Sequence, residues 1–134
     1  MSELDKLKTA FDAQITFLPT ADLAASAHFY ETVLLLPMVL DQGGIRIYQV
    51  VGGGYLGLCQ NDGAPINDDR LILTFVSNDV DGWHARLVAQ DIAVDGAPRE
   101  NERYKIYHFF VRDPDGYRIE VQRFLHPFPP SEMS

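Results

Sequence analysis

Tyr107 to Gln122 reads as two strands joined by a tight turn, and that turn constrains the fold more than any other feature of the chain. Asp113, Pro114 and Gly116 fall where a type I turn takes an acceptor, a preset φ and a glycine. Glycine at 116 can adopt the left-handed conformation that closes a three-residue hairpin with a bulge. Asp113 then lies opposite Tyr117, and pairing runs back as Arg112–Arg118, Phe110–Glu120 and His108–Gln122. Residues directly opposite in an antiparallel pair share a face. His108, Phe110, Glu120 and Gln122 therefore line one surface, and the chemistry depends on what that surface faces.

A chain of 134 residues is one domain by size and can bury a substantial core. The net charge of −8 speaks against nucleic acid, which needs clustered Lys and Arg. It aids solubility and would favour a cationic ligand. The single cysteine, Cys59, lies in an apolar strand and reads as a small buried hydrophobe, so no disulfide framework is expected. No apolar run approaches a bilayer-spanning length, and the N-terminus, with Glu3 and Asp5, lacks a signal-peptide pattern. A cytoplasmic address is the default expectation.

The element order repeats. Leu4, Leu7 and Phe11 have helical spacing, predicting a short amphipathic helix over 2–12. An extended run over 15–19 follows, and then Asp22 caps a helix carrying Leu23, Ala27, Tyr30, Val33 and Leu34, ended by Pro37. Strands are predicted at 37–41, 45–51 and 55–60, the last two joined through Gly52-Gly53-Gly54. In the second half, Leu71 to Val76 is a strand, and Asn78 or Asp79 caps a helix bearing Val80, Trp83, Leu87 and Val88. A short segment near 92–95 precedes the hairpin. Gly54-Tyr55 and Cys59-Gln60 align at a fixed offset with Gly116-Tyr117 and Val121-Gln122. That offset sets Arg46 against His108, Tyr48 against Phe110, and Leu58 against Glu120. The expectation is an α+β fold of two βαβββ modules, at about 14–60 and 71–125 with a linker over 61–70. Curved mixed sheets would form a cup with helices outside. The tail from His126 through Pro130 cannot continue a sheet.

With Asp22-Leu23, Ser26, Phe29-Tyr30 and Leu34, followed by Asp113-Pro114-Asp115-Gly116-Tyr117 and Ile119-Glu120, the chain resembles the vicinal oxygen chelate superfamily over about residues 14–125. That group includes glyoxalase I, extradiol dioxygenases and the fosfomycin- and bleomycin-resistance proteins. The resemblance implies a homodimer, with Leu4, Leu7, Phe11 and the proline-rich tail as candidates for sealing the interface. In metal-dependent members, ligands stand on the first strand of each module and on the last strand of one or both. Those positions fall on Ile15, about Leu71, and Leu58 (or Gly57 if the register slips by one). Only Glu120 keeps a ligand. A divalent ion normally takes three or four protein donors, and adding His108 gives two. The expected cofactor is therefore none, a divalent metal being disfavoured.

On the inferred faces, His108, Arg46, Gln122 and the Tyr48 hydroxyl are candidate partners for Glu120. Glu120 and His108 could act as a general acid–base pair. They could equally form a structural ion pair, or Glu120 could serve as a ligand-binding anion in an apolar pocket. Tyr48, Tyr104 and Phe110 supply aromatic surface for that pocket. His28, His84 and His126 read as solvated or packed. The expected function is metal-independent binding of a small molecule of cationic or aromatic character, with no nucleic acid or membrane partner. The rivals are a glyoxalase-like lyase, an isomerase or a dioxygenase with a reduced metal site on Glu120 and His108, and a partner-binding module with a filled cup.

Overall fold

The protein is described here from a computed structural model, over residues 10–63 and 69–129. The chain divides into two compact units, Met1–Pro65 and Ile66–Ser134. Each has the order strand, helix, strand, strand, strand. The α+β class and the paired βαβββ modules expected from the repeat are both present.

In the first unit, β1 (Gln14–Thr20) leads into α1 (Leu23–His28), which continues as a π-helical turn over Phe29–Val33. Asp22 caps α1, its Oδ1 accepting from Ala25 N at 3.1 Å. The helix stops before Pro37, because Leu35 turns left-handed (φ 61°) and Leu36 N donates back to Tyr30 O at 2.9 Å. The strands β2 (Met38–Asp41), β3 (Ile45–Val51) and β4 (Gly54–Gln60) follow. The sheet order is β1-β4-β3-β2, with β1 parallel to β4.

Side-chain alternation gives this sheet two faces. Leu18, Thr20, Arg46, Tyr48, Leu56, Leu58 and Gln60 share one of them by register. That face meets α1. Thr20 and Ser26 hydroxyls hydrogen-bond at 2.6 Å, and Leu23 N donates to Gln60 Oε1 at 2.8 Å. The other face carries Ile15, Phe17, Gly57 and Cys59. The Phe17 ring lies on Gly57, where an added Cβ would come within 2.4 Å of a ring carbon.

In the second unit, β5 (Ile72–Val76) precedes α2 (Val80–Ala89), then β6 (Val94–Asn101), β7 (Ile106–Arg112) and β8 (Arg118–Phe124). The sheet order is β5-β8-β7-β6, with β5 parallel to β8. Asp79 is the cap, its Oδ1 accepting from Gly82 N at 2.9 Å. Leu73, Phe109, Val111, Ile119 and Val121 are buried on the face covered by α2, with Val80 and Leu87. His84 packs edge-on against Phe109 and bonds Gly96 O at 3.0 Å, so it is a packing residue as expected.

The predicted register of the closing hairpin holds: Arg112 pairs with Arg118, Phe110 with Glu120, and His108 with Gln122. Gly116 sits at φ 93°, its N donating to Asp113 O at 2.9 Å, and Asp113 N donates to Tyr117 O at 3.0 Å. The buried Asp113 carboxylate also accepts from Asp115 N and Tyr117 N, each at 2.9 Å.

Two expectations shift. Residues 10–12 are not helical and Phe11 is fully exposed, while Leu4 and Leu7 lie outside the described residues. Pro65 and Asp68 of the linker and Pro130 of the tail lie outside them too. The short segment near 92–95 is instead an eight-residue strand, Val94–Asn101. Its register on β7 shifts between Asp95 and Arg99, and that irregularity hid its length from a period-two reading. Among the described residues no helix is long and apolar enough to cross a membrane.

Asp113→Ala is expected to lower stability by about 2–4 kcal/mol, because it strands two buried N–H groups. Urea denaturation measures this, and a loss under about 0.5 kcal/mol, the level of an ordinary surface change, would contradict the role given to the turn.

Candidate functional site

The face of the second sheet away from α2 carries the polar cluster. Parallel pairing sets Thr74 beside Glu120, and antiparallel pairing sets Phe110 opposite Glu120 and His108 opposite Gln122. Glu120 and His108 are each only 8% exposed. His108 Nδ1 lies 2.7 Å from Glu120 Oε2, and Thr74 Oγ1 donates to Oε1 at 2.9 Å. The Gln122 amide is assigned with its nitrogen toward the carboxylate, where it donates to both oxygens at 3.1 Å. A buried carboxylate is thus met by three donors from β5, β7 and β8, which removes most of the penalty of taking it out of water.

This arrangement orients the imidazole. With Nδ1 facing a carboxylate, that nitrogen carries the proton. In the neutral imidazole Nε2 then holds the lone pair, and it makes no hydrogen bond among the described residues. A carboxylate that fixes tautomer and ring orientation is the usual support for a general base. Phe110 packs edge-on against His108, with ring centroids 5.2 Å apart, and its own ring face is covered by the Arg118 guanidinium at 4.7 Å.

Of the side chains singled out in the sequence, Glu120, His108, Phe110 and Gln122 come together here. Arg46 and Tyr48 do not. Both lie in the first unit on the face that meets α1, with Leu58, so the fixed offset of the repeat assigned them to the wrong side of their sheet. A period-two strand reverses every face on a one-residue slip. Gly57, not Leu58, occupies the register position that corresponds to Glu120: Gly57 pairs with Phe17 on β1 as Glu120 pairs with Thr74 on β5. Tyr104 lies in the turn between β6 and β7, 60% exposed, with the Arg103 guanidinium over its ring at 5.2 Å. Thr74 and Arg118 were missed. Thr74 was legible as the one polar residue in the Leu71–Val76 run, had the parallel register been known.

The residues present do not fit a conventional divalent-metal site. Ile15, Gly57 and Ile72, which by register and not Leu71 corresponds to Ile15, bring no side-chain donor, and the Phe17 ring occupies the space a longer side chain at Gly57 would need. Among the described residues no group of three or more His, Cys, Asp and Glu converges. Both oxygens of Glu120 already accept hydrogen bonds within its own sheet.

A model of the glyoxalase/bleomycin resistance protein/dioxygenase superfamily matches residues 13–121, and the chain belongs to that superfamily. Among solved structures it is similar to a lactoylglutathione lyase from Agrobacterium tumefaciens at 27% identity and a TM-score of 0.67, covering 82% of this chain and 91% of that one. It is also similar to a glyoxalase/bleomycin resistance protein/dioxygenase from Nocardioides at 18% identity and a TM-score of 0.71, covering 98% and 96%. A glyoxalase/dioxygenase from Nostoc punctiforme, at 18% identity and a TM-score of 0.69 over 92% and 95%, shares the fold. No curated protein matches the sequence.

Tyr48 is fully buried, and among the described residues neither its hydroxyl nor Arg46 Nε has a hydrogen-bond partner of good geometry. Burial, and then the negative charge of Glu31, push the phenol above its usual value, with the nearby Arg46 charge acting in the opposite direction. A folded-state pKa raised above the unfolded one gives stability that is complete below about pH 10 and is lost as pH rises through the folded value. Tyr48→Phe removes a buried hydroxyl that has no partner of good geometry among the described residues. It is expected to leave stability at pH 7 unchanged or raise it by up to about 1 kcal/mol, and to flatten the decline above about pH 10. Thermal melts from pH 7 into the alkaline range test both parts.

Proposed function

We propose that this protein binds a small organic molecule on the face of its second sheet away from α2 without a divalent ion, His108 and Glu120 being the polar anchors beside the Phe110 ring. The observation that carries this reading is the engagement of both Glu120 oxygens by Thr74, His108 and Gln122 inside one sheet. A carboxylate so satisfied orients His108 and leaves Nε2 as the group that meets a ligand. An ion at Glu120 would have to displace those donors and would find no third ligand among the described residues.

A second reading rests on the same dyad. Nε2 of an imidazole held by a carboxylate can move a proton at a bound carbonyl compound, typically worth about 10²–10⁴ in rate. The 27% identity to a protein named a lyase favours this chemistry over simple sequestration. We take the working unit to be a homodimer, as is common in the superfamily. Sedimentation at micromolar concentration would show one species of twice the chain mass, and a monomer would remove that part of the reading.

Calorimetric titration with Ni²⁺, Zn²⁺, Mn²⁺ and Fe²⁺ is expected to show no stoichiometric uptake at sub-micromolar affinity. Such uptake by any of the four would overturn the metal-free reading. Glu120→Gln keeps the side-chain shape but places an amide against His108 Nδ1. It is expected to weaken retention of a co-purifying small molecule at least tenfold, about 1.4 kcal/mol. Native mass spectrometry of the wild type and the variant reads this directly.

A further inference from the structure

Next to the His108–Glu120 pair the second unit has a shallow groove of about 270 Å³, lined by Val94, Asp95, Phe110, Val111, Arg112 and Arg118, with Ala93 at its end. Phe110 belongs to both the groove and the dyad, since its ring touches His108 on one side and carries the Arg118 guanidinium on the other. Arg118 and Glu120 are two residues apart on β8 and point to the same face, roughly 7 Å along the strand. The Phe110 ring therefore separates the groove at Arg118 from His108.

The charges in the groove are not equivalent. Arg112 donates to Asp69 at 2.8 Å and to Gly116 O at 2.7 Å, and its guanidinium also feels Asp95. Glu120 is answered by three donors. Arg118 has its contact with the Phe110 ring and no ion-pair partner among the described residues. A guanidinium presents a planar fork matched to a carboxylate, and stacking on an aromatic ring leaves the edge of that fork available. The groove is smaller than the roughly 300–1,000 Å³ of sites for drug-sized molecules, which confines an occupant to about one ring.

We propose that the ligand is a small planar carboxylate, held at its charged end by Arg118 over Phe110, on the far side of that ring from His108. The inference rests on the small-molecule reading above and adds the charge and size of the ligand. It reverses the cationic preference that the net charge of −8 alone suggests, because recognition follows the charge left uncompensated in the groove and not the sum over the surface. Asp95 stands on the opposite wall, and as a like charge it moderates the affinity.

Three isosteric probes of different charge test this on the full chain: benzoate, benzamide and benzamidine, each titrated into labelled protein and followed by NMR. Benzoate is expected to give saturable shifts at Phe110, Val111 and Arg118 in the millimolar range, with benzamide at least tenfold weaker and benzamidine without saturable shifts there. Arg118→Gln should weaken benzoate at least tenfold and Asp95→Asn should tighten it. Arg123→Gln, which removes a cation stacked on Tyr107 on the opposite face, should leave it unchanged. Equal affinity for the three probes, no saturable benzoate shift at the groove, or indifference to Arg118→Gln overturns the inference. Binding of benzamide or benzamidine at this face with benzoate silent sinks the anion site and leaves the small-molecule reading standing. Silence from all three probes, combined with sub-micromolar metal uptake, removes both.

Discussion

The register between β7 and β8 is the constraint on which the site depends. The turn at Asp113–Gly116 sets it, through a glycine at positive φ and a carboxylate that accepts two backbone N–H groups inside the loop. Because side chains alternate with a period of two, a slip of one residue would turn Glu120 and Gln122 toward α2, away from Thr74 and His108, and take Ile119 and Val121 out of the core under that helix. The cost of parting a buried carboxylate from its donors and two apolar side chains from their packing locks the register from the other side. Turn chemistry and burial therefore specify the same pairing independently. Agreement of that kind between local and global preferences is what makes a sheet fold to one register.

From that register the polar cluster follows with little freedom. Glu120 cannot face away from α2 without meeting His108 and Gln122 across and along the hairpin. The parallel strand β5 adds Thr74 to the remaining oxygen. The carboxylate is buried with its donors, so its role passes outward to the imidazole it orients. The corresponding place in the first unit is filled differently, by Gly57 under the ring of Phe17. Two modules with one backbone plan thus use equivalent positions for opposite purposes, one polar and one sealed by an aromatic ring. The superfamily's fold is retained, while Ile15, Gly57 and Ile72 offer no side-chain donor.

Much of this was legible in the residues themselves. The caps at Asp22 and Asp79, the order of elements along the chain and the closing hairpin all follow from local chemistry: Asx capping, apolar periodicity and a turn with glycine at its last position. His108, Phe110, Glu120 and Gln122 were placed on one face from the turn alone. Arg46 and Tyr48 were not, because their assignment used an offset between repeats and not a register within a sheet. Identities such as Gly54-Tyr55 with Gly116-Tyr117 align the chain, but they do not say whether β1 and β5 pair with equivalent phase. Only hydrogen bonding between strands far apart in sequence decides that.

The sequence by itself determined the element order, the capping of both helices and the pairing of the last hairpin, since each depends on residues within a few positions of one another. Tertiary structure alone decided that Thr74 completes the carboxylate's donors, that Phe17 covers Gly57, and that Arg118 rests on Phe110. The first two contacts join parallel strands about forty residues or more apart in the chain, whose register no turn connects. The third joins neighbours across the hairpin, but it depends on side-chain rotamers chosen by packing. Local chemistry reaches as far as a turn can carry it, and beyond that the face a residue presents is set by its partners in space.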